Sequence, residues 1–324
     1  MAPRQIAPLS SRALIFVAIA GNLLVAATKI GAALWTGSSS MLSEAVHSVV
    51  DSGNSILLLH GLRQAERRPD VNHPLGYGRE LYFWSFVVAV LVFALGAGVS
   101  LYEGIAHIQN PVAVKDETVV YVVICLSAVF DGATWWVSLR SFKGQMRFAE
   151  LVKAVRDSKD PPSFMLLFED SASLIGLLIA LAGTFFSVWF NLPMIDGVGS
   201  ILIGMVLAAV AMLIARETKD LLIGEAADPR IAASILKLAN DMDGVAHANG
   251  VITVHLAPRQ IVVALSLEFA DELNTPEIEL KVIELERRLR LLYPSVATLF
   301  VKPQSSIGFE VASLRRFGRT MPSI

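Results

Sequence analysis

The sequence is short of cysteine, histidine and charge. A single cysteine, Cys125, excludes a disulfide framework and any zinc or iron–sulfur centre built on thiolates. Charged residues make up 17% of the 324, against about 25% in an ordinary soluble domain. Lysine and arginine total 27 against 29 aspartates and glutamates, a net charge of −2, so there is no basic excess for nucleic acid. What is present is apolar: 54% hydrophobic residues and a mean hydropathy of +0.58. A soluble globular enzyme does not need that much, and disorder is excluded by the same numbers. The apolar residues are unevenly spread, which predicts a membrane part followed by a soluble part.

A spanning helix needs about 20 mostly apolar residues. Six stretches qualify: Ala13–Trp35, Leu42–Leu62, Leu81–Ala106, Thr118–Leu139, Phe164–Phe190 and Met194–Ala215. The first is too long for a signal peptide. The second is the least apolar, since it carries Glu44, His47, Asp51 and Asn54. Basic residues cluster in alternate connections. Arg4 and Arg12 lie at the start, Arg63, Arg67, Arg68 and Arg79 after the second stretch, and Arg140, Lys143, Arg147, Lys153, Arg156 and Lys159 after the fourth. The intervening connections carry almost none. The bias toward cytoplasmic lysine and arginine then predicts six spans with both termini in the cytoplasm.

After Arg216 the pattern changes. Asp228–Asp241 reads as an amphipathic helix, Val251–His255 and Ile261–Phe269 as strands, Thr275–Leu292 as a charged helix and Val296–Val301 as a third strand. The order α-β-β-α-β predicts a small α+β domain with two helices on one face of a three-stranded sheet. The expected layout is a membrane domain over residues 1–215, a cytoplasmic domain over 216–304 and a tail over 305–324.

Ionisable groups inside a bilayer are costly, so each is a candidate for function. His47 and Asp51 are four apart, which puts them on one helix face about 6 Å apart. Glu44 lies near that face, and the fifth stretch offers Glu169 and Asp170. An imidazole with carboxylates from two helices can replace the waters of a divalent cation. The alternative is polar glue, for example Lys29 paired with an acidic neighbour. The cation reading leads for His47, Asp51 and Asp170. For Asp131, Glu103 and Lys29 both readings stand.

Ser43–Asp51, with its His-x-x-x-Asp pair, resembles the second-helix signature of the cation diffusion facilitator family. His73-Pro74-Leu75-Gly76-Tyr77-Gly78-Arg79 resembles the family's loop before helix 3, and Asp196–Gly204 the start of its helix 6. The Leu-Phe-Glu-Asp-Ser run around Asp170 resembles the branch grouped with zinc transporter nine. With six spans and an α-β-β-α-β end, the resemblance covers nearly the whole chain. It implies a homodimeric exporter of divalent metal, usually zinc, exchanged for protons.

Some positions depart from the family pattern. Its helix 5 pair needs a ligand four residues before Asp170, and Leu166 stands there. Glu169 can supply the missing ligand, although it points about 100° from Asp170 on a regular helix, or a water can. So oxygen-rich a set raises manganese, iron and cobalt relative to zinc. A second family site, in the loop, is matched by Asp70 and His73 only, with Tyr77 at the third position; a tight Pro-Gly loop is the competing reading. The matching strands of the soluble domain lack the family's histidines, so dimerisation rather than metal sensing is expected there.

The expected function is therefore proton-coupled export by alternating access about a site between helices 2 and 5. His47, with an unperturbed pKa of about 6.5, is the natural proton exchanger. No resident cofactor is expected. The partners are metal ions, protons, the lipid of an inner or plasma membrane and a second copy of the chain. Glu44-x-x-His47 is also the spacing of di-metal oxidases, but no other helix carries a second such pair. A transport-silent subunit, acting through its cytoplasmic domain or a heteromer, is the alternative that Leu166 motivates.

Overall fold

The computed structural model describes residues 11–142 and 159–318. Six long helices come first: α1 (Ser11–Thr36), α2 (Ser39–Ala65), α3 (Glu80–Gln109), α4 (Glu117–Phe142), α5 (Pro161–Phe190) and α6 (Met194–Ile223). Most overrun their apolar stretches by one to three residues at an end, because caps and not hydropathy stop a helix. The Ser38 hydroxyl accepts from Met41 N to start α2, and two prolines open α5. The largest difference is in α6, expected to end at Ala215. Its hydrogen-bond ladder continues through the polar run Arg216–Asp220 as far as Gly224 N, which donates to Asp220 O at 3.1 Å. Within α3 a wide π-helical turn occupies Val92–Ala97. Arg4, Lys143, Arg147, Lys153 and Arg156, on which the orientation partly leans, lie outside the described residues.

Among the described residues, α3, α4, α5 and α6 are long and apolar enough to cross a membrane. Polar side chains dilute α2, and the first ten residues of α1 have no described side chains. Helix α4 turns Val122, Leu126, Val129 and Val137 outward, as a lipid-facing helix does. Packing is side by side: α1 along α2, α2 against α3 and α5, and α4 against α5 and α1. Small and branched residues such as Ala33, Val120, Ala172, Ala180 and, from α6, Leu207 form one core cluster. At about 25 cal/mol per Å², such burial counts only where water is the alternative, so close packing and polar contacts hold helices together in lipid.

The chain divides into two compact units. One comprises the residues to Glu66 with Glu80–Lys219; the other joins Arg67–Arg79 to the chain from Asp220 onward. The loop Arg67–Arg79 thus belongs with the C-terminal unit. Gly78 explains part of this, because a Cβ there would lie 2.8 Å from Ala257 Cβ and 2.9 Å from Leu256 O.

In the C-terminal unit, α7 (Pro229–Asn240), β1 (Val245–Ala257), β2 (Gln260–Phe269), α8 (Thr275–Leu292) and β3 (Val296–Pro303) follow in the expected order. The sheet runs β1-β2-β3, with β1 and β2 antiparallel and β2 and β3 parallel. Alternate residues of β2, Ile261, Val263, Leu265 and Leu267, turn inward onto Ile235 and Ala239 of α7 and Leu285 and Leu289 of α8. Asn274 and Glu277 form a capping box at the start of α8. Strand β1 begins six residues earlier than its alternation suggests, because register shifts between Val245 and His247 and between Ala248 and Gly250 break the pattern. The stretch expected as a tail carries a further helix, α9 (Ser306–Phe317). Ser305 caps it, Ser306 Oγ donates to Glu268 Oε2 at 2.5 Å, and Phe309 covers Gly250. Residues 319–324 lie outside the described residues.

Candidate functional site

Helix α2 places polar residues on successive turns because residues three and four apart share a face. His47 is 1% exposed, and neither ring nitrogen has a hydrogen-bond partner among the described residues. Its Nδ1 lies 3.4 Å from Asp51 Oδ1 without the alignment of a hydrogen bond, and Asp51 Oδ1 is likewise unbonded. The predicted pair is therefore together. Asn54, one turn further, donates from Nδ2 to Glu169 Oε1 at 2.9 Å.

Helix α5 supplies the other carboxylates. Asp170 Oδ2 accepts from Ser138 Oγ of α4 at 3.0 Å, and its Oδ1 lies 3.5 Å from Thr134 Oγ1. Glu169 turns to α2 while Asp170 turns to α4, as their angular separation on the helix requires. Both still reach the wall of one small cavity of about 30 Å³, which Asp51, Asp131 and Leu166 also line. Its size is on the scale of a water molecule or a bare cation. His47 sits beside Asp51 rather than on that wall. Among the described residues no three His, Cys, Asp or Glu side chains are grouped closely enough to hold one ion. The structure therefore gathers Asp51, Glu169 and Asp170 around a cavity without closing a ligand shell.

Polar glue is present as well, close by. Lys29 of α1 is fully buried and donates to Glu44 Oε2 at 3.1 Å and Ser48 Oγ at 3.0 Å. Its Nζ lies 3.6 Å from Asp131 Oδ2, which also accepts from Ser173 Oγ at 2.6 Å. Glu44 Oε1 has no hydrogen-bond partner among the described residues and abuts Gly176, where any Cβ would collide with it. Glu103 is half-buried on α3.

The loop pair has a different character. Asp70 Oδ1 accepts from Asn72 N and His73 N at 3.0 and 2.8 Å, and Tyr77 Oη donates to Asp70 Oδ2 at 2.7 Å. The Tyr77 hydroxyl first, and then the His73 N–H, hold the Asp70 carboxyl below the usual carboxylate range. His73 Nδ1 is 3.6 Å from Asp70, its ring faces Tyr77, and Arg67 lies 4.3 Å over the Tyr77 ring. Here the carboxylate organises its own turn.

A further buried carboxylate was visible in the sequence only as part of a motif. Asp196, at the start of α6, accepts from Ser39 N at 2.6 Å, Ser40 N at 3.2 Å, Ser40 Oγ at 2.5 Å and Ser38 Oγ at 3.1 Å. The signal was the serine run Ser38-Ser39-Ser40, which supplies these donors from the start of α2.

A family model of the cation efflux transmembrane domain matches residues 15–223. Metal tolerance protein C4 of Arabidopsis thaliana is 35% identical over 226 residues, 68% of this chain and 49% of that protein. The Proton-coupled zinc antiporter SLC30A9, mitochondrial, of Xenopus laevis is 34% identical over 217 residues, 66% of this chain and 39% of that protein. Cation-efflux pump FieF of Escherichia coli is 24% identical over 287 residues, 88% of this chain and 90% of that protein. The matches span less than half the length of the first two relatives.

Proposed function

The chain belongs to the cation efflux family, integral membrane transporters rather than enzymes, and from that premise we propose that it exports a divalent metal cation, zinc foremost, in exchange for protons. The observation that carries this is His47. An imidazole sealed from solvent, with neither nitrogen bonded among the described residues, is costly unless a ligand visits it. Asp51 and Asp170 supply charge for that ligand, and Glu169 or a water completes the set. So many oxygen donors leave manganese, iron and cobalt as competitors. The names of the SLC30A9 relatives support zinc as cargo and protons as the exchanged ion.

Ligands must be deprotonated to bind metal, so metal entry expels protons and proton entry expels metal. Alternating exposure of the site between α2 and α5 turns that competition into exchange. Six spans with both termini in the cytoplasm are supported by the six long helices and by the alternation of basic loops, of which Arg63, Arg67, Arg68, Arg79, Arg140 and Lys159 are described. Residues 1–215 carry transport, and the unit that follows joins two copies in an inner or plasma membrane. At Asp70 and His73 an ion would have to displace the Tyr77 hydroxyl, so transport needs none there.

The test is metal uptake into liposomes holding the purified chain under an imposed pH gradient. Zinc, manganese, iron and cobalt are compared for wild type, Asp51→Ala and Asp170→Ala. Zinc is expected to move with the gradient and to stop in both variants. A wild type that moves no metal would overturn transport and leave the silent-subunit reading.

A further inference from the structure

We propose that Lys29 is a built-in counter-ion of the cation cavity, and that an arriving cation takes Asp131 away from it. This rests on the transport reading above. Lys29 has no exposed surface, so its ammonium must be balanced inside the bundle. Its contacts are unequal. Glu44 and Ser48 accept hydrogen bonds at 3.1 and 3.0 Å, whereas Asp131 stands at 3.6 Å as an ion pair only.

Asp131 looks both ways. One oxygen, Oδ2, is shared by Lys29 and Ser173, while the side chain lines the same cavity as Asp51, Glu169 and Asp170. Whichever of the four carboxyls on this cavity of about 30 Å³ are ionised repel one another, and the ammonium beside them offsets that repulsion. When a divalent cation enters, Asp131 can turn to it. Lys29 then keeps Glu44 and Ser48, and Oε1 of Glu44, unbonded among the described residues, gives it a second acceptor. The ammonium also limits how tightly the cation is held, and cargo must leave as well as enter. Lys29 is in this sense a positioning residue, and Asp131 a cavity ligand outside the pairs on α2 and α5.

Zinc binding to the purified full chain, by calorimetry at fixed pH, tests this with K29M, D131N and the double variant. K29M is expected to bind zinc at least tenfold more tightly, because at an effective dielectric of about 20 the repulsion between like charges exceeds a factor of ten anywhere within about 10 Å. Its turnover in liposomes should fall while KM falls with it. D131N should bind more weakly, and K29M should tighten binding far less in D131N than in wild type, because Asp131 is no longer there to be released. A structural pin would lower thermal stability in K29M without tightening binding, so folded K29M with unchanged or weaker affinity overturns the proposal. If K29M does not fold, D131N decides: unchanged zinc affinity overturns it, and weaker binding supports it. Wild type that binds no divalent cation would instead defeat the transport reading itself.

Discussion

Asp196 and the His47–Asp51 pair lie in the same helical unit, and their surroundings are opposite. Asp196 is fully buried and collects backbone and hydroxyl donors from Ser38, Ser39 and Ser40. Two of these are N–H groups in the first turn of α2, which no helix can satisfy internally and whose partial positive charge favours an anion. His47 is as deeply buried, and among the described residues neither it nor Asp51 Oδ1 has a hydrogen-bond partner. A saturated buried carboxylate is structure. An unsaturated imidazole–carboxylate pair, its Nδ1 and Oδ1 held 3.4 Å apart on one helix face, is kept for something that arrives.

The two places therefore respond oppositely to substitution. His47→Leu and Asp51→Ala should abolish gradient-driven zinc flux while leaving the melting temperature unchanged or higher, because an unbonded buried polar group is removed. Flux and thermal unfolding in one detergent preparation check both halves. Loss of fold in His47→Leu would mean that the imidazole is structural after all. Asp196→Ala should do the reverse and cost about 3 kcal/mol of stability or more, since each buried donor left unpaired costs about 1–3. An Asp196→Ala protein that melts like wild type would show that water replaces the carboxylate and that the contrast is shallower than the hydrogen bonds suggest.

How much of this was legible in the sequence depended on the range of the interaction. Apolar runs announced the helices, and the i, i+4 spacing announced His47 with Asp51, because both are local. The alternation of β2 announced its inward face for the same reason. Helix ends were less legible: α6 runs on to Ile223 because a hydrogen-bond ladder tolerates Arg216–Asp220 where hydropathy does not. Helix α9 was hidden because its anchors, Asn249 and Glu268, lie far back in the chain. Within the site, Lys29 with Glu44 and Asp131 was one pairing among several until three helices were placed together. The place of Asp131 on the cavity is likewise a contact between helices, and the serine run Ser38-Ser39-Ser40 offered donors without naming Asp196 as their acceptor.

Smaller perturbations sharpen the contrast by touching the supports of the site instead of the site. Ser138→Ala removes the hydroxyl that holds Asp170 Oδ2 at 3.0 Å. Loss of such an outer contact should weaken zinc affinity by about tenfold, with stability nearly unchanged. Calorimetry on the variant checks it, and unchanged affinity would mean that Asp170 is oriented by its own helix alone.

The smallest expected effect belongs to the loop, where the carboxylate is satisfied as at Asp196 but exposed to water. Tyr77→Phe removes the hydroxyl that donates to Asp70 at 2.7 Å and is the main cause of its lowered pKa. The Asp70 pKa should rise toward its ordinary value of about 3.9 but remain below it, because the His73 and Asn72 N–H groups still donate. A depressed folded pKa contributes stability that is present above the unfolded value and disappears as pH falls through the folded one. Tyr77→Phe therefore leaves stability at acid pH almost unaltered and removes a little at neutral pH, and transport stays at the wild-type level. A carboxyl-carbon NMR titration of Asp70 in the full chain reads the shift directly. If zinc flux fell together with that shift, Asp70 would belong with His47 and Asp51 as a working carboxylate, and the division between satisfied and waiting groups would have to be redrawn.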